Sequence, residues 1–163
     1  MSSEDPESTH DPLADVQLFF LLGMGFQLIV AEFVDRLDEA GYTDLRPIHG
    51  LVFQALMNGG LTSTELGEQL GVTKQASGQI VEYLEGRGYV ERRPHPEGGR
   101  RKLVVLTEQA AAHLGVAGQT LAALEAEIAA GLDDGELQRL RLSLARLVRQ
   151  LAPDDIPPFR PAW

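Results

Sequence analysis

The chain has 163 residues, with 24 Asp and Glu against 14 Lys and Arg, a formal net charge of −10 and no cysteine. A chain of this length forms a single domain that buries roughly 70% of its unfolded surface, so it needs no disulfide or metal to fold. The absence of cysteine excludes thiol catalysis, a disulfide framework and cysteine-ligated zinc, and it fits a reducing cytoplasm, where we expect the protein to be located.

The N-terminal region combines an acidic start with a long apolar run. Residues 1–12, "MSSEDPESTHDP", are predicted to be a disordered tail, because a secretory signal would begin with positive charge. The apolar run in residues 16–34 is long enough for a membrane span, but it contains Gln17, Gln27 and Glu32 and has no basic flank. We therefore predict a helix within residues 13–43 that is buried against its own domain and against a second subunit.

The middle region, residues 44–107, begins with three predicted helices. "RPIHGLVFQAL" carries a proline in its first turn and ends at "NGG". In "TSTELGEQLG", Thr62 and Glu65 form a capping box, and Gly71 ends the short helix. The third helix, "VTKQASGQIVEYLEGRG", begins after Thr73 as its N-cap.

Two short β-branched runs follow the third helix. "YVERR" and "RKLVVLT" are joined by a loop rich in proline and glycine, which predicts a β-hairpin. A helix, a short helix, a turn, a second full helix and a hairpin occur in the order of a winged helix-turn-helix. The predicted fold is therefore mainly α with a small β-hairpin.

The third helix has one apolar and one polar face. At 100° per residue the predicted buried stripe contains Val72, Ala76, Ile80 and Leu84. Thr73 and Ser77 lie beside the stripe, and Val81 extends it on one edge. The opposite face carries Lys74, Gln75, Gly78, Gln79 and Glu82. Lysine pairs with phosphate or guanine, glutamine pairs with adenine, and a glycine lets the backbone approach a groove wall. The alternative is a solvated surface helix with no partner.

The hairpin is basic although the chain is acidic. Residues 92–102 hold five of the 14 Lys and Arg residues, and outside residues 44–102 there are six basic against seventeen acidic residues. A hairpin of this kind can carry cations into a narrow minor groove. Strand alternation predicts that Lys102, and not Arg101, points in the same direction as Arg100. We expect a protein that contacts DNA at one face and is repelled from it elsewhere.

The C-terminal region, residues 108–152, is predicted to be helical. In "DDGELQRLRLSLARLVRQL" leucines recur at spacings of three and four, as in a coiled-coil seam: Leu137, Leu140, Leu144, Leu147 and Leu151. The apolar helices at the two ends of the chain form either one intramolecular core or an interlocked homodimer. We favour the homodimer, because one small middle region cannot cover both. Residues 153–163 form a proline-rich tail.

The segment "LGVTKQASGQIVEYLEGRGYVERRPHPEGGRRKLVVLTEQA" resembles the MarR family of bacterial transcriptional regulators. The resemblance lies in the "Le..GyV.R" link between recognition helix and wing and in the "v.LT" that closes the wing. It implies that the terminal helices form the dimer interface, that the third helix reads DNA, and that Arg100 is the wing arginine that enters the minor groove. The predicted DNA-binding residues are Thr73, Lys74, Gln75, Ser77, Gly78, Gln79, Arg92, Arg93, Arg100, Arg101 and Lys102.

Two positions depart from the family pattern. The family wing usually has an aspartate two residues before its arginine, where this chain has Gly98 followed by Gly99. The wing is therefore predicted to lack a bracing carboxylate. Family recognition helices also commonly carry an arginine where this chain has Gly78 or Tyr83, so the family's base preference does not transfer to this chain.

The resemblance also implies a small, often anionic aromatic effector, bound between the dimerisation helices and the DNA-binding lobe, that weakens DNA binding. The sequence suggests Phe19, Met24, His49 and Phe53 as lining residues and Arg46 as the anion partner. The alternative is that the histidine and the aromatic residues belong to the core.

No pattern in the sequence indicates catalysis, a metal or a cofactor. The histidines at positions 10, 49, 95 and 113 lack metal-ligand spacing, and "GMG" lacks the strand of a dinucleotide loop. We therefore expect a homodimeric, ligand-responsive regulator, more often a repressor than an activator, on a pseudo-palindromic operator. The alternative, favoured by the acidic composition, is a winged-helix module that binds protein within a larger assembly.

Overall fold

The computed structural model describes residues 11–160, so residues 1–10 of the predicted acidic tail and residues 161–163 of the proline-rich tail lie outside it. The elements are α1 (Leu18–Glu39), α2 (Pro47–Leu56), α3 (Ser63–Leu70), α4 (Lys74–Gly86), β1 (Val90–Pro94), β2 (Lys102–Leu106), α5 (Glu108–Ala130) and α6 (Glu136–Leu151). This order confirms the predicted mainly helical fold with a small antiparallel hairpin.

The helix-turn-helix formed by α3 and α4 begins and ends where its capping residues predict. The Thr62 amide donates to the Glu65 carboxylate at 2.7 Å, and the Glu65 amide donates to the Thr62 hydroxyl at 3.3 Å. Gly71 ends α3 with a φ of +70°, a conformation that favours glycine. The Thr73 hydroxyl then accepts the Ala76 amide of α4 at 3.1 Å. Local capping chemistry therefore sets the start of the helix that carries the candidate DNA contacts.

The hairpin is held against the loop between α2 and α3. Arg92 pairs with Val104 in the register of β1 and β2. Leu61 forms an isolated antiparallel β-bridge with β2, because its amide and carbonyl exchange hydrogen bonds with Val104 at 3.2 and 2.8 Å. A Cβ on Gly60 would lie 2.8 Å from Val105, so only glycine lets the loop approach this closely. These contacts fix the base of the wing relative to the helices.

Residues 44–107 have a hydrophobic core of their own. It is completed by the first turn of α5 and consists of Leu45, Val52, Phe53, Leu56, Leu66, Leu70, Val81, Leu84, Tyr89, Val90, Val104 and Ala110. Asp44 accepts two hydrogen bonds at the edge of this core. The Tyr83 hydroxyl donates to the Asp44 carbonyl, and the Tyr89 hydroxyl donates to the Asp44 carboxylate.

The terminal helices, in contrast, leave apolar surface exposed. Leu37 is the only buried residue of α1, and Phe19 and Leu28 are 78% and 72% exposed. No residue of α6 is buried, and Leu151 of the predicted seam is 76% exposed. Within the single chain, the predicted burial of α1 against its own domain is therefore limited to part of that helix.

Within the single chain, α1 is fixed mainly to α5. The Arg36 guanidinium donates to both carboxylate oxygens of Glu127, at 2.8 and 2.6 Å. By length and hydropathy α1 could cross a membrane, but such a signal is weak, since core helices of soluble proteins share it.

Candidate nucleic-acid interface and apolar cavity

The polar face of α4 is open to solvent. Lys74, Gln75, Gln79 and Glu82 are exposed, and a Cβ on Gly78 would have no neighbour within 4 Å. The opposite face is buried at Ser77, Val81 and Leu84. The predicted two-faced helix is therefore present, although its buried stripe is centred closer to Val81 than to Ile80.

Ser77 is a correction to the predicted DNA contacts. Its side chain is fully buried, and its hydroxyl donates to the Ser63 carbonyl oxygen at 2.6 Å. A Cβ on Gly67 of α3 would lie only 3.2 Å from the Ser77 Cβ. Ser77 therefore holds the two helices together and does not face a groove. Thr73 is exposed, with its hydroxyl engaged as the N-cap of α4.

The candidate DNA-binding Lys and Arg residues differ in whether their side chains form ion pairs within the chain. Arg92 shares the face of the buried Val104 and lies 3.1 Å from Glu85 of α4, and Arg93 pairs with Glu91 at 2.5 Å. The side chains of Lys74, Arg100 and Lys102 form no hydrogen bond or ion pair with any residue in the range 11–160. These three side chains are accordingly the ones most available to an external phosphate.

The wing loop contains a carboxylate brace, so the prediction that it has none is wrong. Glu97 accepts from Arg101 at 2.7 Å, and its own amide donates to His95 Nδ1 at 3.2 Å. Gly98 and Gly99 follow with φ values of +75° and +83°. The brace stands one residue before the position at which the family pattern places it.

A cleft of about 650 Å³ lies between the wing and the N-terminus of α3. Arg100, Arg101 and Lys102 all line it, together with Arg92 and residues 62–65. The prediction that Arg101 points away is therefore wrong, because Arg101 precedes β2 and strand alternation does not apply to it. Glu65 also lines the cleft, and hydrogen bonds from the Thr62 amide and hydroxyl lower the pKa of its carboxyl.

A second, mostly apolar cavity of about 330 Å³ lies between α1, α2 and α5. Its size falls at the lower end of the range for small-molecule sites. The apolar side chains that line it include Phe26, Phe33, Leu37, Leu51, Leu114 and Leu121, and the polar ones include Asp38, Arg46, Gln54 and His113.

Only Arg46 of the five predicted ligand residues lines this cavity. Phe53 is fully buried in the lobe core. His49 accepts the Arg46 amide at 3.0 Å and stacks on Tyr83 at 4.9 Å, so it caps α2. Phe19 is 78% exposed and Met24 is 39% exposed, and both lie outside the lining. The alternative interpretation, a core role, is correct for His49 and Phe53.

His113 of α5 lines the cavity, and the sequence did not single it out as a ligand contact. It is 3% exposed, lies edge-on to Tyr42 at 4.6 Å, and its Nδ1 has no hydrogen-bond partner among the described residues. Burial lowers its pKa below the usual value of a histidine. The buried positions of α5 recur at helical spacing around it, at Ala110 and Ala117, and this periodicity was the available signal.

The described part of the proline-rich tail also reaches the cavity. Phe159 lines it, and its ring lies 5.9 Å from that of Phe26. The next residue, Arg160, donates to the carbonyls of Gln69 and Glu68 at 3.2 and 3.1 Å, at the end of α3. Among residues 11–160 no cluster of His, Asp and Glu is arranged to hold a metal ion.

The three-helix lobe, its bridged hairpin and the open polar face of α4 define a winged helix-turn-helix protein. Residues 43–101 match the model of the MarR family. The similarity to the MarR family covers this segment, which is 59 of the 163 residues. No curated protein sequence matches it.

Solved structures are similar to this chain over most of its length. The chain is 25% identical to apo MarR from Escherichia coli, with a TM-score of 0.67, and the match covers 82% of this chain and 98% of that one. A probable transcriptional regulator from Pseudomonas aeruginosa is 27% identical, with a TM-score of 0.64 and coverage of 82% and 98%. MepR, a transcription regulator of the Staphylococcus aureus multidrug efflux pump MepA, is similar in fold, at 17% identity, a TM-score of 0.69 and coverage of 83% and 99%.

Proposed function

We propose that the protein is a cytoplasmic, homodimeric, sequence-specific repressor that binds a pseudo-palindromic operator. The observation that carries the proposal is the combination of an open polar face on α4 with three cations that have no side-chain partner among residues 11–160, namely Lys74 on α4 and Arg100 and Lys102 on the wing. In this proposal α4 lies in the major groove, where Gln75 and Gln79 contact base edges. The wing carries Arg100 into the neighbouring minor groove.

The exposed apolar surface of the terminal helices supports the dimer. Phe19, Phe20 and Leu28 of α1 and Leu140 and Leu151 of α6 are exposed in the single chain. Soluble monomers rarely expose contiguous apolar patches of this kind, whereas homodimer interfaces are apolar at their centre. A two-fold axis through these helices would place two copies of α4 on successive half-sites of one DNA face.

We further propose that a small molecule in the apolar cavity weakens operator binding. The cavity lies between the terminal helices and α2 of the DNA-binding lobe. A ligand there contacts both parts of each subunit, so it favours one spacing of the two α4 helices over another. The ligand binds more tightly to the spacing that does not fit the operator, and ligand binding therefore releases the DNA.

A titration of labelled DNA tests the DNA-binding proposal. The probe is the region upstream of the protein's own gene, the competitor is a scrambled fragment, and the readout is fluorescence anisotropy. We expect tight binding to the upstream region, with weaker binding for Lys74→Ala and Arg100→Ala. Arg139→Ala, on the exposed start of α6, is the matched control and should bind as the wild type does. Equal binding to both fragments, or none, would favour the alternative of a protein-binding module.

A further inference from the structure

Two buried polar atoms of residues that line the apolar cavity have no hydrogen-bond partner within residues 11–160. They are Oδ1 of Asp38, on α1, and Nδ1 of His113, on α5. Buried polar groups are nearly always paired, and an unpaired one in a binding cavity is a position where a ligand group can bond. The two atoms therefore indicate which ligand groups the cavity would accept.

The interior of the cavity favours hydrogen-bond donors. A carboxylate such as that of Asp38 only accepts hydrogen bonds. His113 is neutral near pH 7, because burial lowers its pKa, so it does not compensate the negative charge. The cation of the lining, Arg46, is an exposed residue, and its Nη1 donates to the carbonyls of Thr43 and Leu45 at 3.3 and 3.0 Å. One nitrogen of its guanidinium is thus already engaged by backbone carbonyls.

We infer that the cavity binds an aromatic molecule with a hydrogen-bond donor, either a phenol or an arylmethylamine, and that Asp38 makes it reject aromatic carboxylates. The inference deepens the effector part of the proposed function, and it replaces the expectation of an anionic ligand held by Arg46. Discrimination arises because a carboxylate ligand would place a second negative charge next to Asp38 in a desolvated site.

Calorimetric titration with three probes of matched size tests the inference without DNA. The probes are 2-naphthol, 2-naphthylmethylamine and 2-naphthoate at pH 7.5, which share a ring system and differ in the polar group. We expect the first two to bind at least about tenfold more tightly than the carboxylate. Asp38→Asn, which removes the charge at constant shape, should bring the amine and the carboxylate to similar affinity. Asp35→Asn, on an exposed position of the same helix, should keep the wild-type order.

Three results would overturn the inference. These are naphthoate binding as tightly as naphthol, an unchanged order in Asp38→Asn, and no binding of any probe at millimolar concentration. Because the titration contains no DNA, its failure leaves the operator-binding proposal standing, and failure of the DNA titration leaves the ligand result standing.

The contacts of Phe159 and Arg160, in the C-terminal segment, support a second and independent inference. Phe159 lies at the cavity, while Arg160 donates to two carbonyls in the last turn of α3. The end of a helix has unpaired carbonyls and a partial negative charge, so a guanidinium is stabilised there. A Cβ on Gly71, in the turn between α3 and α4, would lie 3.0 Å from Arg160. One short segment therefore contacts both the cavity and the helix-turn-helix turn.

We propose that residues 159–160 form a strap that transmits ligand binding in the cavity to the helix-turn-helix formed by α3 and α4. A ligand that takes the place of the Phe159 ring pulls Arg160 away from α3, and the turn that precedes α4 loosens. The two ends of the strap are adjacent in sequence, so one cannot move far without the other.

Hydrogen exchange in residues 66–72 of the full-length protein tests the strap. Arg160→Ala should speed exchange there, because the α3 carbonyls lose their cap. Phe159→Ala should speed it as well, although Phe159 does not touch α3 by any hydrogen bond. Arg149→Ala on α6 is the control and should exchange as the wild type does. Unchanged exchange in Phe159→Ala would show that Arg160 is only a local cap and would overturn the proposal.

Discussion

The Ser77 hydroxyl of α4 donates a 2.6 Å hydrogen bond to the Ser63 carbonyl oxygen in the first turn of α3. The bond joins the two helices of the helix-turn-helix at the point where Gly67 of α3 faces Ser77. The angle at which α4 is presented to DNA therefore depends on a small side chain at each of these two positions.

Substitution at this contact should destabilise the lobe. Ser77→Ala leaves the Ser63 carbonyl without this partner, at a cost of about 1–2 kcal/mol in the free energy of unfolding. Gly67→Ala introduces a methyl group 3.2 Å from the Ser77 Cβ and should cost about 1–3 kcal/mol through overpacking. Urea denaturation measures both changes. Gln79→Ala, on the open face, should unfold as the wild type does, and an equal loss in that variant would remove the special role of the contact.

The glutamines of α4 should set base preference. Gln75→Ala and Gln79→Ala should each relax preference at one or two operator positions, at about 1–3 kcal/mol per lost bidentate contact. Affinities for a set of single-base operator variants check this. Uniform weakening with unchanged preference would contradict base reading by these side chains.

Two substitutions in the wing should distinguish insertion of Arg100 into the minor groove from diffuse electrostatic attraction between the hairpin and DNA. Arg100 is unpaired, whereas Arg101 is held by Glu97, so Arg100→Ala should weaken binding more, and most strongly on operators with A·T-rich flanks. Binding isotherms on A·T-flanked and G·C-flanked operators measure both variants. Equal losses for the two arginines on both operators would show that the hairpin acts only as a basic patch.

The Leu seam of α6 should be needed for assembly. Leu144→Asp places a charge among the leucines of a helix that has no buried residue in the single chain, and it should yield monomer or aggregate. Light scattering at micromolar concentration reports the mass. Ser143→Asp, next to it on an exposed position, is the control. A well-folded wild-type monomer would contradict the dimer.

Stability should fall as the solution becomes more acidic than the ordinary pKa of histidine. Burial lowers the pKa values of His49 and His113 in the folded state, so the unfolded chain binds more protons below about pH 6.5. Their contribution is complete above that pH and is lost as the pH falls toward their folded pKa values. Urea midpoints between pH 7.5 and 5.5 should show a smaller decline in His113→Phe than in the wild type, and an identical decline would exclude His113 as a source.

Sequence reasoning succeeded where local chemistry decides the structure. The capping box at Thr62, the stop at Gly71 and the N-cap at Thr73 each set an element boundary from nearby residues. Helical periodicity likewise identified the open face of α4. It placed Ser77 only at the edge of the buried stripe, because periodicity gives an angle and does not reveal that α3 approaches closely at Gly67.

The cavity was beyond local patterns, because it forms from three helices distant in sequence. Phe19 and Met24 were plausible as aromatic and apolar residues of α1, but the cavity meets that helix further along, at Phe26 and Asp38. The contact of Arg160 with α3 depends on the path of the chain after α6, which no periodicity in the sequence predicts. The Glu97 brace was missed because it was sought at one fixed position of the loop.

Selection of DNA from a random library tests the central claim most directly, because it assumes no operator. The account predicts that the wild-type protein enriches an inverted repeat, with half-sites centred about one helical turn, or roughly 10 base pairs, apart. Gln75→Ala and Gln79→Ala, selected in parallel, should relax defined positions within each half-site. Enrichment of no sequence by the wild type, or of a single unrepeated half-site, would contradict a homodimeric regulator that reads DNA with α4.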